Sequence, residues 1–147
     1  MIHVSVAGWL VASLLAFGGT AWAQQPSPDI AHFAFRQIAP NKEVKHFTFE
    51  VRGRAAIDEM RAALANRSSP KRHVSGVVDP HKAAYNPEWS FHLVPETVGL
   101  FEMQIEVCDA NVTYVEQHLD EVGGSFLPKS FWCPWSSELE SEIPVRP

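Results

Sequence analysis

Apolar and polar positions alternate along this chain with period two in several short stretches and with helical spacing in two others. In His46 to Val51, Phe47, Phe49 and Val51 alternate with Thr48 and Glu50, which predicts a strand with three large side chains on one face. From Ala55 to Asn66 the rhythm changes. Ile57, Met60 and Leu64 recur at i, i+3 and i+7 among alanines, predicting an amphipathic helix that Pro70 keeps from continuing. His73 to Val78 reads as a short strand closed by Asp79-Pro80. Trp89, Phe91 and Leu93 share one face of a third strand, with Ser90 and His92 on the other. The sharpest alternation is Phe101 to Cys108, where Phe101, Met103, Ile105 and Val107 are interleaved with Glu102, Gln104 and Glu106. It predicts a strand with one buried and one polar face. Asp109 then stands at the N-cap of a helix carrying Val112, Val115, Leu119 and Val122 at helical spacing, with Gly123-Gly124 closing it. The tail from Leu127 to Trp135 is aromatic without a period and is expected to fold back onto the sheet.

The order strand, helix, three strands, helix predicts an α+β fold: a single compact domain over residues 45–147, with an antiparallel sheet of about four strands and two helices. Residues 24–44 read as a leader and irregular lead-in, because Pro26 and Pro28 fix φ and remove backbone donors. Residues 1–23 hold no Asp, Glu, Lys or Arg, and the apolar run from Val4 to Phe17 is followed by Ala21-Trp22-Ala23. That is the form of a secretory signal peptide cleaved between Ala23 and Gln24, although no Lys or Arg precedes the apolar run. An uncleaved anchor helix is the rival reading, since a span needs about 20 apolar residues. Cleavage implies a secreted or periplasmic domain with no stable membrane association.

Composition narrows the function. With 147 residues and 46% hydrophobic positions, the chain suits one globular domain rather than a disordered one. The formal charge is −5, and it is unevenly placed: residues 52–87 sum to +4 and residues 88–147 to −9. A net acidic chain without a basic stripe excludes a general nucleic-acid binder. The basic region 52–87 contains the first helix, but Asp58 and Glu59 interrupt it and its apolar face is short, so an ordinary solvated helix is expected there. Two cysteines are too few for a disulfide-dense scaffold or an all-cysteine zinc site, and neither belongs to a C-x-x-C motif. In an exported protein Cys108 and Cys133 are expected to pair, tying the aromatic tail to the end of the fourth strand.

Four runs carry a family likeness: His73-Val74-Ser75-Gly76; Tyr85-Asn86-Pro87-Glu88-Trp89-Ser90-Phe91-His92-Leu93; Phe101-Glu102-Met103 with Ile105-Glu106-Val107-Cys108-Asp109; and Asp120-Glu121-Val122-Gly123-Gly124 through Trp132-Cys133-Pro134-Trp135. In this order they resemble the N-terminal domain of a seventy-four-kilodalton calmodulin-binding protein, over most of residues 45–140. The resemblance implies a shared fold, and the family's name implies calmodulin as a partner.

The residues themselves point to a binding module for an unknown protein or small ligand, acting through the Tyr85 to His92 segment and the Phe131 to Trp135 tail. Tyr85, Trp89, His92, Trp132 and Trp135 are its candidate contacts, and Trp135, between Pro134 and Ser136, is the one expected to be partly exposed. Exposed aromatics would also suit a sugar. The enzyme alternative rests on His73, His81 and His92 near Asp79, whose spacing matches no metal-ligand motif, and no G-x-S-x-G, H-E-x-x-H or phosphate loop is present. No metal and no cofactor is therefore expected.

Overall fold

The computed structural model describes residues 29–39 and 41–144; the expected signal peptide and its Ala23-Gln24 cleavage site lie outside them. The elements follow in the order β1 (Ile30–Ile38), β2 (Val44–Arg52), α1 (Arg54–Ala65), β3 (His73–Asp79), β4 (His92–Leu93), β5 (Gly99–Phe101), α2 (Val112–Gln117), β6 (Val122–Gly123), β7 (Phe126–Pro128), β8 (Phe131–Trp132) and β9 (Ser137–Ile143). The fold is α+β, with mostly antiparallel pairing, two α-helices and one disulfide.

Strands β2, β1 and β9 form one antiparallel sheet with β1 in the middle. Period two sends Ala31, Phe33, Phe35 and Gln37 of β1 inward beside Phe47, Phe49 and Val51 of β2. Gln37 is tolerated in the core because its amide is satisfied at both ends. Its Nε2 donates to Ser136 Oγ at 2.7 Å, and its Oε1 accepts from Val112 N at 2.7 Å. The chain turns into α1 at Gly53, whose φ of 86° is costly for any residue with a Cβ. Helix α1 then buries Ile57, Met60 and Ala63; Leu64, the third residue its spacing marked as apolar, is partly buried against the same core.

Strand β3 is the spine of the second layer, pairing with β4, β5 and β8. The registers of β4 and β5 against β3 do not match, and the 3-10 turn Pro95–Thr97 between them takes up the difference. The two layers are joined where β3 begins. Arg72, buried, donates from Nη1 to Ala63 O at 3.0 Å and from Nη2 to Leu139 O. Val74 N donates to Ser137 Oγ at 2.9 Å. Trp132 occupies the centre, fully buried, with the rings of Phe35, Phe47 and Phe91 between 5.5 and 5.7 Å away in edge-on contact.

Several expectations are corrected. The segment 24–44 is not an irregular lead-in throughout, because Ile30–Ile38 is the central strand of a sheet. The Trp89 to Leu93 strand is reduced to His92–Leu93. The antiparallel sheet of about four strands is present as β4, β3, β5 and β8, and beside it stand a three-stranded antiparallel sheet and a small parallel ladder between β6 and β7. Phe101 to Cys108 is not a strand: pairing stops at Phe101, and the chain runs on to a 3-10 turn at Glu106–Cys108. Helix α2 starts later and ends earlier than its spacing suggests. Asn111, not Asp109, is the N-cap, its side chain accepting from Tyr114 N, while Asp109 Oδ1 accepts from Trp135 N at 2.9 Å. Gly123 is no helix cap. It lies in β6 with φ of 90°, and a Cβ there would meet Ser130 Oγ at 2.8 Å. The aromatic tail continues into a strand, β9, that no apolar pattern announced. Cys108 and Cys133 are paired as expected.

Candidate functional site

A sheet has two faces, and the outer one of β2, β1 and β9 does not pack on the core. There β1 presents His32, Ala34 and Arg36 opposite Glu50, Thr48 and His46 of β2. The free edge of β2 is covered by the loop between β3 and β4. Asn86 Oδ1 accepts from Thr48 N at 3.1 Å and Trp89 Nε1 donates to His46 O at 2.8 Å, so this edge is closed to further strand pairing. The same loop delivers Tyr85 onto the outer face, where its ring stacks on His32 with centroids 4.7 Å apart.

A cleft of about 560 Å³ opens here, lined by His32, Thr48, Ala84, Tyr85, Pro87, Ile143 and Pro144. That volume is within the ordinary range of small-molecule sites, ~300–1,000 Å³. Its floor is held by charge. The His32 Nε2 proton bonds Glu50 Oε2 at 3.1 Å, Glu50 Oε1 accepts from Arg52 Nε at 2.7 Å, and Arg52 Nη1 reaches Glu96 Oε1 at 2.8 Å. The Tyr85 hydroxyl is shielded from solvent yet makes no hydrogen bond of regular geometry. Burial, reinforced by the nearby Glu50 carboxylate, pushes its pKa up to about 12. Beside it stands a polar cluster: the His92 ring meets Tyr85 edge-on at 6.3 Å, His92 Nδ1 donates to His81 O at 2.7 Å, and His81 Nδ1 bonds Asp79 Oδ1. A smaller hollow of about 260 Å³ lies between the β1–β2 turn and α2, with Asn41, Glu43, Lys45 and Asn111 in its wall.

The five sequence candidates do not share one surface. Tyr85 and His92 meet beside the cleft. Trp89 and Trp132 are core residues with their indole N–H groups bonded to His46 O and Ala110 O, so neither offers a free face. Trp135 is half-buried and packs with Phe131 against Phe101 and the Cys108–Cys133 bridge, its Nε1 buried without a partner. Of the three grouped histidines, His81 and His92 flank Asp79, but His73 is apart, donating to Ser137 O and packing on Phe101. Among the described residues no three His, Cys, Asp or Glu converge as metal ligands. His32, Thr48, Ile143 and Pro144 were not legible as site residues, because they reach the cleft from a hairpin register and a C-terminal strand rather than through any local motif.

Fold and site together define a small α+β domain with a cleft on the outer face of a three-stranded sheet. The family model for the N-terminal domain of the seventy-four-kilodalton calmodulin-binding protein matches residues 29–146, and the chain belongs to that family. The match includes β1, which lies before the region where the residue-level likeness begins. Neither a curated protein nor a solved structure matches the chain.

Proposed function

We propose that this domain is an exported binding module whose ligand site is the cleft over Tyr85 and His32, and that the ligand is a small hydroxylated ring such as a saccharide unit. The observation that carries the reading is a cleft of about 560 Å³ with the stacked rings of Tyr85 and His32 in its wall. Flat side chains line the cleft, from Tyr85, His32, Pro87 and Pro144, and suit the face of a ring, while Thr48 supplies a hydroxyl. Export with cleavage after Ala23 is part of the same reading and is supported by the Cys108–Cys133 disulfide, a bond rare in reducing compartments. Calmodulin, implied by the family's name, is the weaker partner. Calmodulin takes amphipathic helices by their apolar face, and α1 has committed Ile57, Met60 and Ala63 to the core.

The test is titration of the isotopically labelled protein with a panel of mono- and disaccharides, followed by amide chemical shifts. At least one sugar is expected to move His32, Thr48, Tyr85 and Ile143 together, and Tyr85→Ala is expected to weaken it by about tenfold or more. Shifts confined to other surfaces, or no response across the panel, would overturn the ligand assignment.

A further inference from the structure

We propose that the segment Glu102–Ile105, between β5 and the 3-10 turn at Glu106–Cys108, is a docking edge for an extended, basic segment of another protein, which pairs with it as an added β-strand. This site is separate from the cleft and does not depend on it.

Met103 and Ile105, 76% and 68% exposed, are the most exposed large apolar residues among the described residues, and Val107 is 54% exposed. Three such side chains on one six-residue stretch form a local apolar strip of the kind that marks interaction sites. Between them stand Glu102, Gln104 and Glu106. The ion pairs among the described residues engage Glu43, Glu50, Glu96, Glu138, Glu140 and Glu142, but neither Glu102 nor Glu106. The backbone is equally open. Among the described residues, Met103, Gln104 and Ile105 donate no backbone hydrogen bond within the chain, and the carbonyls of Met103 and Gln104 accept none, while Ile105 O is taken by Cys108 N; a partner strand therefore finds free donors and acceptors up to the turn.

The strip is also held in place at both ends. Phe101 is buried and paired with His73 in the β5–β3 ladder. At the other end Cys108 is bonded to Cys133, and Cys133 N donates to Cys108 O at 2.8 Å. A segment fixed at two points loses less freedom on binding than a free loop. The occupant follows from charge. A second copy pairing through the same segment would place glutamates near glutamates across the ladder, which is destabilising. A partner alternating Lys or Arg with β-branched or other apolar residues meets Met103 and Ile105 with one row and Glu102 with the other, and its end reaches Glu106 at the start of the turn.

The probe is an end-blocked octapeptide alternating lysine with valine or isoleucine, compared with its glutamate counterpart and with a scrambled lysine peptide. Amide shifts and slowed amide exchange are expected at Met103, Gln104 and Ile105 with the alternating lysine peptide alone. The double variant Met103→Ser/Ile105→Ser is expected to weaken it by about tenfold or more. Glu102→Lys/Glu106→Lys is expected to transfer preference to the glutamate peptide. Unchanged circular dichroism and an intact disulfide establish that each variant is folded. Equal binding of the lysine and glutamate peptides, shifts mapping away from residues 102–107, or self-association abolished by the double serine variant would each overturn the proposal.

Discussion

Breaking the Cys108–Cys133 bond should cost the domain much of its margin, and the size of the loss follows from where the bond lies. The bridge spans 25 residues. Closing such a loop removes about 3.5 kcal/mol of chain entropy from the unfolded ensemble at 25 °C. Typical domains are stable by only ~5–15 kcal/mol, so this is a large fraction. The native state should barely register the loss, because both sulfurs sit in a cluster with Phe101, Phe131 and Trp135 that packing still holds. Urea unfolding followed by far-ultraviolet circular dichroism, with and without thiol reductant, measures the effect. With a urea slope of ~1–3 kcal/mol/M, the midpoint should fall by about 1.2–3.5 M on reduction. The pair Cys108→Ala/Cys133→Ala should fall further, since it also removes two buried sulfur atoms; the difference between reduction and substitution is the packing contribution. A midpoint on reduction within about 0.3 M of the oxidised protein would refute loop closure as the source of stability.

Three other outcomes are expected. Arg72→Met should destabilise the domain by about 3 kcal/mol in chemical denaturation, because it leaves the carbonyls of Ala63 and Leu139 without their charged donor. Tyr85→Phe should leave stability unchanged or raise it by up to about 1 kcal/mol near neutral pH, since the deleted hydroxyl is buried and makes no hydrogen bond of regular geometry. With Tyr85 at about 12 in the folded protein, against ~10 unfolded, the native state holds this proton more tightly, so stability should fall as pH rises between these values and Tyr85→Phe should flatten that fall. The Glu138 and Glu142 carboxyls are held below the usual carboxylate range by hydrogen bonds from Arg36 and Arg61, so their contribution should be present above ~pH 4.3 and fade on acidification; Glu138→Gln should reduce the acid-limb slope.

The elements whose apolar residues meet a ready-made surface were readable. Phe47, Phe49 and Val51 in β2, and Ile57 and Met60 in α1, lie inward as their spacing demands. Strand β1 escaped because its inward row ends in Gln37 and begins with Ala31, and Ile30 and Ile38 are exposed at its ends, so alternation is blurred. Strand β9 escaped because Leu139 is the only large apolar residue of its sequence that is fully buried; its place is set by pairing with β1 and by Arg36–Glu138 and Arg61–Glu142 ion pairs. The most regular alternation in the chain failed for another reason. A period of two says that one side is apolar, not that a sheet is there to receive it, and beyond Phe101 the chain has left β3 and is drawn to the disulfide. Half of the candidate site shared that fate. Tyr85 and His92 were legible as aromatic and polar residues in a turn-rich segment, while His32 and Ile143 become neighbours only through the β1–β9 register.

That register has a bearing on how the molecule comes to exist. Strand β1 is made first among the described elements and β9 last, yet they are neighbours in the sheet, with His32 opposite Ile143. Until β9 has left the ribosome, β1 has one open edge, so a nascent chain holds an incomplete sheet through most of its synthesis. Pairings of such long sequence separation are slow to form and leave unpaired edges exposed meanwhile. Synthesis from one end therefore cannot complete this domain piece by piece: the last strand to arrive closes the sheet around the first.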